Sequence, residues 1–284
     1  MSGTFIVPAA RRRRVYGWPL RIAVTLLIAM VLAVIVGPWL SPHSHEALDP
    51  TRALLPPQFA NGHWFGTDDL GRDLFARVMI GGRISLLVGV VATLVSIVIG
   101  VAWGATAGYL GGRVDHWMMR FVDVLYAVPF MFFVILLMVV FGRNFLLIFV
   151  AIGAINWLDM ARIVRGQTLS LAERDFVAAA RVSGVPAGAI IRRHIVPNLT
   201  GVVIVYATLT VPQVILVESF LSFLGLGVQE PLTSWGTLVH QGAQLMELAP
   251  WTLLFPAAFL GVTLYAFNFL GDSLRDTFEH RYRR

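Results

Sequence analysis

Six stretches of the chain carry no Asp, Glu, Arg or His. They are residues 22–42, 84–112, 124–142, 144–158, 195–217 and 248–271, of 21, 29, 19, 15, 23 and 24 residues. A helix needs roughly 18 apolar residues to cross a hydrocarbon core about 30 Å thick. Five stretches reach that length, and the fourth does so if it runs on through Asp159 to Arg162, an i,i+3 pair that can sit at the interface. Composition agrees: 57% of residues are hydrophobic and 13% charged, against about 45–50% and about 25% in soluble domains. So few charges cannot solvate a surface of this size, and the missing solvent is lipid. The expected class is an all-α polytopic membrane protein with six transmembrane helices.

Orientation follows from arginine, because cytoplasmic loops hold an excess of Lys and Arg. With the N-terminus inside, Arg11, Arg12, Arg13, Arg14 and Arg21 are cytoplasmic, with Arg113 and Arg120. The same side holds Arg162, Arg165, Arg174, Arg181, Arg192 and Arg193, then Arg275, Arg281, Arg283 and Arg284. Only Arg52, Arg72, Arg77, Arg83 and Arg143 fall outside. Both termini are expected in the cytoplasm. A signal peptide would need a shorter apolar region and a small-residue cleavage site, which Ser41-Pro42-His43 does not supply. Topology already accounts for the Arg11 to Arg14 run, so nucleic acid is not an expected partner.

All 22 basic residues are Arg, so the Walker sequence G-x-x-x-x-G-K-[ST] cannot be written here. The chain has no ATP site of that type, and with no Cys it has no thiolate chemistry. Ion-coupled carriers keep ionisable residues near the membrane midplane. Here Asp123, Asp159, Glu218 and Asp272 all fall at span ends, where they read as anchors and helix ends. A stand-alone secondary transporter and a membrane enzyme are therefore disfavoured, and no cofactor or metal is expected. A membrane path without internal energy chemistry needs a partner that supplies it, and so a docking surface.

The largest cytoplasmic loop, residues 162–198, reads as two short helices. Residues 169–181 form the first, with Glu173 and Asp175 in its middle, stopping near Gly184. Pro186 suits the first turn of the second, which runs to about His194 before Pro197 interrupts it. Ala178, Ala179 and Ala180 leave a smooth face, and Phe176, four residues before Ala180, is a candidate anchor. The residues alone leave two readings open: a docking face for a protein, or an amphipathic helix lying on lipid headgroups.

On the outer side, Pro50, Pro56 and Pro57 keep the segment after the first span extended. Thr67 is expected to N-cap a helix, with Asp68 and Asp69 in its first turn, where the dipole favours anions. Leu70, Leu74, Phe75, Val78 and Met79 make one apolar stripe, predicting an interfacial helix that leads into the second span. The spacing of Asp68, Asp69 and Asp73 does not fit a calcium loop. The region 218–235 is expected to complete the outer rim, with Gly225 and Gly227 allowing a tight reversal.

Asp175-Phe-Val-Ala-Ala-Ala-Arg-Val-Ser-Gly184, followed by Arg193-His-Ile-Val-Pro-Asn198, resembles the E-A-A-x-x-x-G loop of ABC-importer membrane subunits. The motif's Glu falls on Ala178, so its usual charge contact is absent, while Ala179 and Gly184 are retained. His63-Trp-Phe-Gly66-Thr-Asp-Asp-Leu-Gly71-Arg72-Asp73 is similar to the signature of second membrane subunits of peptide and nickel importers. Glu218-Ser-Phe-Leu-Ser-Phe-Leu-Gly-Leu-Gly227 and Ser234-Trp-Gly236 fit the same pattern. Residues 126–152, 157–170 and 267–272 resemble, more narrowly, the second subunits of oligopeptide permeases of Gram-negative bacteria; overall similarity favours oligopeptide, with a dipeptide or nickel importer of the same family as the alternative.

The resemblance implies a type I ABC importer permease fold, a five-helix core plus one N-terminal helix. It also implies a second homologous permease subunit, two ABC ATPase subunits, a periplasmic binding protein and peptide as cargo. The coupling-loop residues would be Glu173, Asp175, Phe176, Ala178, Ala179, Ala180, Gly184, Arg193, His194 and Pro197. The expected organisation is a cytoplasmic arm (1–18), a first helix (19–42), a periplasmic segment (43–83), the core (84–274) with its coupling loop, and a cytoplasmic tail (275–284).

Overall fold

The computed structural model describes residues 17–141 and 145–282. Arg11, Arg12, Arg13, Arg14, Arg143, Arg283 and Arg284, used above for orientation, lie outside the described residues.

Each charge-free stretch becomes helix, because a backbone in lipid must satisfy its own hydrogen bonds. The long helices are α1 (Gly17–Leu40), α2 (Leu74–Leu110), α5 (Phe145–Ala172), α8 (Val196–Phe223) and α10 (Trp251–Tyr282), numbered in chain order with the shorter ones below. The third stretch straddles α3 (Gly112–Ala127) and α4 (Phe130–Phe141), which meet at 79°. Pro129 explains the break: Val128 before it is extended, as the clash with a following proline ring requires. Four of the described helices are long and apolar enough to cross a membrane, and the bent pair counts as a fifth span. α5, of 28 residues, carries the fourth charge-free stretch on through Asp159 and Arg162. The chain is an all-α polytopic membrane protein. Leu87, Leu94 and Val98 of α2 and Ile28 and Leu32 of α1 are exposed apolar side chains, as suits a surface wetted by lipid.

At 37 residues, α2 is roughly 56 Å long, well beyond a bilayer core, and it organises everything else. Along one side it places small residues against α5. A Cβ added at Gly100 would lie 2.6 Å from the Met160 Cβ, one at Gly104 2.3 Å from the Ala161 carbonyl oxygen, and one at Gly108 2.8 Å from that of Arg165. Between membrane helices close backbone approach replaces the hydrophobic drive, and four-residue spacing of small residues is what permits it.

Several expectations are corrected. No separate interfacial helix precedes the second span, because its residues are the first turns of α2. The predicted stripe points inward: Leu74, Val78 and Met79 pack in a core with Val34, Trp235 and Leu238, while Leu70 is exposed. Thr67 does not cap that helix; its hydroxyl donates to the Arg52 carbonyl oxygen and accepts from the Leu55 amide at 2.8 Å. Asp73 is the cap, accepting from the Ala76 amide at 2.9 Å. Asp159 and Arg162 do not pair with each other. The Tyr126 hydroxyl donates to Asp159, and Arg162 reaches Asp123 at 2.8 Å, so both tie α5 to α3. Glu218 is no interfacial anchor but fully buried, accepting from Ser222 at 2.7 Å and from Ser85 on α2 at 3.2 Å.

Candidate functional site

Two assemblies of polar and glycine-rich sequence occupy opposite ends of α2. The first is the cap built by residues 41–73 together with the 224–234 connection that follows α8. Its centre is Asp68. One carboxylate oxygen accepts from the backbone amides of Leu70 and Arg72, each at 2.9 Å; the other accepts from Arg72 Nε at 2.7 Å and from Arg77. Asp68 therefore folds its own loop and pins two guanidinium groups, instead of sitting in a helix's first turn. Arg72 also donates to Glu230 Oε1 at 2.9 Å. Burial pulls the Arg72 guanidinium down, but Asp68 and Glu230 outweigh that and hold it above its ordinary value.

The other cap residues serve this frame. Asp73 accepts from His63 Nδ1 at 2.9 Å and from the Ser41 hydroxyl at 3.1 Å, joining the end of α1 to the start of α2. His63 stacks on His43 with ring centroids 4.0 Å apart. Gly71 has φ +74°, and a Cβ there would sit 1.9 Å from the Asp49 carbonyl oxygen, so no side chain fits. Gly66 lies under the Trp251 indole, and Asp69 is exposed. Gly225 ends α8, and Gly227 passes against Ser222 with no room for a Cβ.

The second assembly connects α5 to α8. α5 continues to Ala172, so the first loop helix is α6 (Asp175–Val182) and not residues 169–181. Glu173 is exposed in the link, and Asp175 and Arg181 sit at the ends of α6 that the helix dipole favours for each sign. Val177 and Ala180 are buried against Met160, Ile190 and Leu199. Ala178 and Ala179 are exposed, and Phe176 and Val182 are 41% and 90% exposed, so α6 shows an apolar face with no cover. Phe176 and Ala180 thus do not share a face: one points out and the other in.

Gly184 takes φ +74° to close α6, with the Gly184 amide bonded to the Arg181 carbonyl and the Val185 amide to that of Ala180. Pro186 precedes α7 (Ala187–Ile190), which passes through a π turn at Ile191–Ile195 into α8. Pro197 does not interrupt this run. The π turn bonds the Val196 amide to the Ile191 carbonyl, five residues back, and absorbs the proline at the start of α8. Residues Ala187–Phe223 are one continuous rod. Arg193 is exposed on the π turn, and half-buried His194 lies 6.5 Å from the Phe176 ring.

Residues 96–284 match the family of binding-protein-dependent transport system inner membrane components. The chain belongs to that family. Residues 21–57 match the N-terminal TM domain of oligopeptide transport permease C. Among relatives, the oligopeptide transport system permease protein OppC of Escherichia coli K12 is 56% identical over 283 residues, covering 100% of this chain and 94% of that relative. OppC of Haemophilus influenzae is 53% identical, covering 96% and 88%. The dipeptide transport system permease protein DppC of Bacillus subtilis is 49% identical, covering 91% and 80%.

Sequence reasoning missed two structural features of this inner membrane component. One is the Gly100, Gly104 and Gly108 series, which the four-residue spacing alone would have found. The other is the fork between Arg165 and Asp115, two bonds of 2.5 and 2.6 Å that fasten α5 to α3 beside the loop end. Its partners are fifty residues apart, and nothing local in the sequence signals the pairing.

Proposed function

We propose that this chain is one of two permease subunits of an ATP-driven importer of oligopeptides, and that α6 and the π turn receive the stroke of ATPase subunits. The observation that carries this reading is the continuous rod from Ala187 to Phe223 with α6 packed on its base. A push on the exposed face of Phe176, Ala179 and Val182 passes into that rod through the packing of Val177 and Ala180 on Ile190 and Leu199. The lever is a two-state element biased by nucleotide bound to another chain, which is how coupling between separate sites works.

In this reading the α5–α8 connection is cytoplasmic, the cap faces the periplasm, and both termini lie inside. The cap, with the 224–234 connection, is where a periplasmic peptide-binding protein docks. Residues 84–274 form the five-helix core with coupling loop 162–198, α1 is an added helix, and a second homologous permease supplies the other half of the path. The names of the relatives support oligopeptide as cargo, and a path of few fixed charges suits a substrate with variable side chains.

The test is a single cysteine at Ala179 in this Cys-free chain, in the assembled transporter. A thiol-directed crosslinker should join it to an ATPase subunit, with a yield that changes when ATP is bound. Crosslinking to lipid alone, or none at any nucleotide state, would return α6 to the headgroup reading.

A further inference from the structure

The ion cluster at the cap does not balance on fixed groups alone. Arg72 and Arg77, with side chains 10% and 3% exposed, face one buried carboxylate, Asp68, 6% exposed. The remaining positive charge is met by Glu230, which comes from a different part of the chain and is 52% exposed. Its Oε1 lies 2.9 Å from Arg72 Nη1 and 3.7 Å from Arg77 Nη2. Glu230 sits at the tip of the connection between α8 and α9 (Trp235–Gln244), where Gln229, Glu230, Pro231 and Leu232 are all exposed. Gln229 bonds only back to Gly225 and Gly227, so among the described polar contacts Glu230 is what fastens this tip to the rest of the cap.

The geometry points to Arg72 and Arg77 as a carboxylate-binding site in which Glu230 is the resident, exchanged for the free terminal carboxylate of an arriving peptide. The inference rests on the peptide reading above. Lifting the tip alone would leave Arg72 and Arg77 sharing the single carboxylate of Asp68, with one positive charge in excess, and uncompensated buried charge carries a large cost. Lifting it while another carboxylate takes the place of Glu230 keeps every charge paired. The tip is thereby a latch that a carboxylate opens and an uncharged solute does not. Two guanidinium groups recognise a carboxylate by geometry as well as charge. A terminal carboxylate is common to peptides of every sequence, which suits a site that must ignore side chains.

The experiment uses the complete transporter in nanodiscs, with an environment-sensitive dye on a cysteine replacing Leu232. Two peptides identical except for a C-terminal acid or amide are presented at matched loading on the binding protein. The acid form should shift the dye signal at a concentration about tenfold or more below that of the amide form. Arg72→Gln should abolish that difference. Glu230→Gln, which alters a half-exposed side chain and leaves the buried pair intact, should give a shifted signal before any peptide is added. Equal responses to acid and amide with an unshifted Glu230→Gln signal would overturn the carboxylate site while leaving peptide transport standing. ATP-dependent uptake of neither peptide by the same complex would instead refute the peptide reading itself.

Discussion

Gly184→Ala is expected to uncouple the transporter, whereas Gly188→Ala, four residues on, is expected to leave it intact. A Cβ added at either position would meet no atom within 4 Å, so crowding plays no part in either change. They differ in backbone: Gly184 has φ +74°, while Gly188 lies within α7 at ordinary helical angles. An L-residue held in the left-handed region costs about 1–2 kcal/mol. That is roughly a five- to thirtyfold loss in the population of the turn whose bonds join Gly184 to Arg181 and Val185 to Ala180. At Gly188 the same change gains about 1 kcal/mol of helix propensity. The assay is peptide-stimulated ATPase activity over basal in the reconstituted complex, with assembly checked by size exclusion. Gly184→Ala should lose most of the stimulation and keep the basal rate. An assembled Gly184→Ala complex stimulated as strongly as wild type would refute the idea that this turn sets the direction of α6.

Gly104→Val should lower the thermal unfolding temperature in detergent, because its side chain meets the α5 backbone; overpacking of this kind costs about 1–3 kcal/mol. An unchanged transition would mean that α2 and α5 do not approach as closely as 2.3 Å implies. Asp73→Ala removes a helix cap and strands the buried His63, a loss of about 2–4 kcal/mol from the cap and that donor together. It should open residues 41–73 to limited proteolysis, with Asp73→Asn affected less. A cysteine at exposed Asp69 should react with an impermeant maleimide on intact spheroplasts, and labelling only after lysis would invert the proposed orientation.

Much of the fold was legible because lipid imposes a simple rule. A stretch without charge must satisfy its backbone within itself, and among the described residues each of the six lies mostly in helix. The exceptions are places where tertiary contacts override local signals. Thr67 followed by two aspartates reads as a cap, yet Asp68 is drawn away by two arginines and Asp73 takes the role. Glu218 looks like a span-end anchor, yet serines from α2 and α8 make a buried niche for it. Pro197 reads as a stop, but a π turn needs only one wider ring of hydrogen bonds to carry the helix past it.

The glycine turn between the loop's helices could be seen in the residues alone, because Gly184 and Pro186 are strong local punctuation, while the start of α6 and the run of the second helix into α8 could not. The choice between protein and lipid as its partner could not, since an exposed apolar face suits either. The Glu230 contact was equally out of reach, because its partners lie 158 residues apart.

In the proposed function this chain carries peptides only as part of an ATP-driven complex. The direct measurement is uptake of a labelled oligopeptide into proteoliposomes holding the two permeases, the ATPases and the binding protein. Uptake should require ATP and should vanish when this chain is omitted. Uptake by this chain alone, driven by an ion gradient without ATP, would contradict that claim.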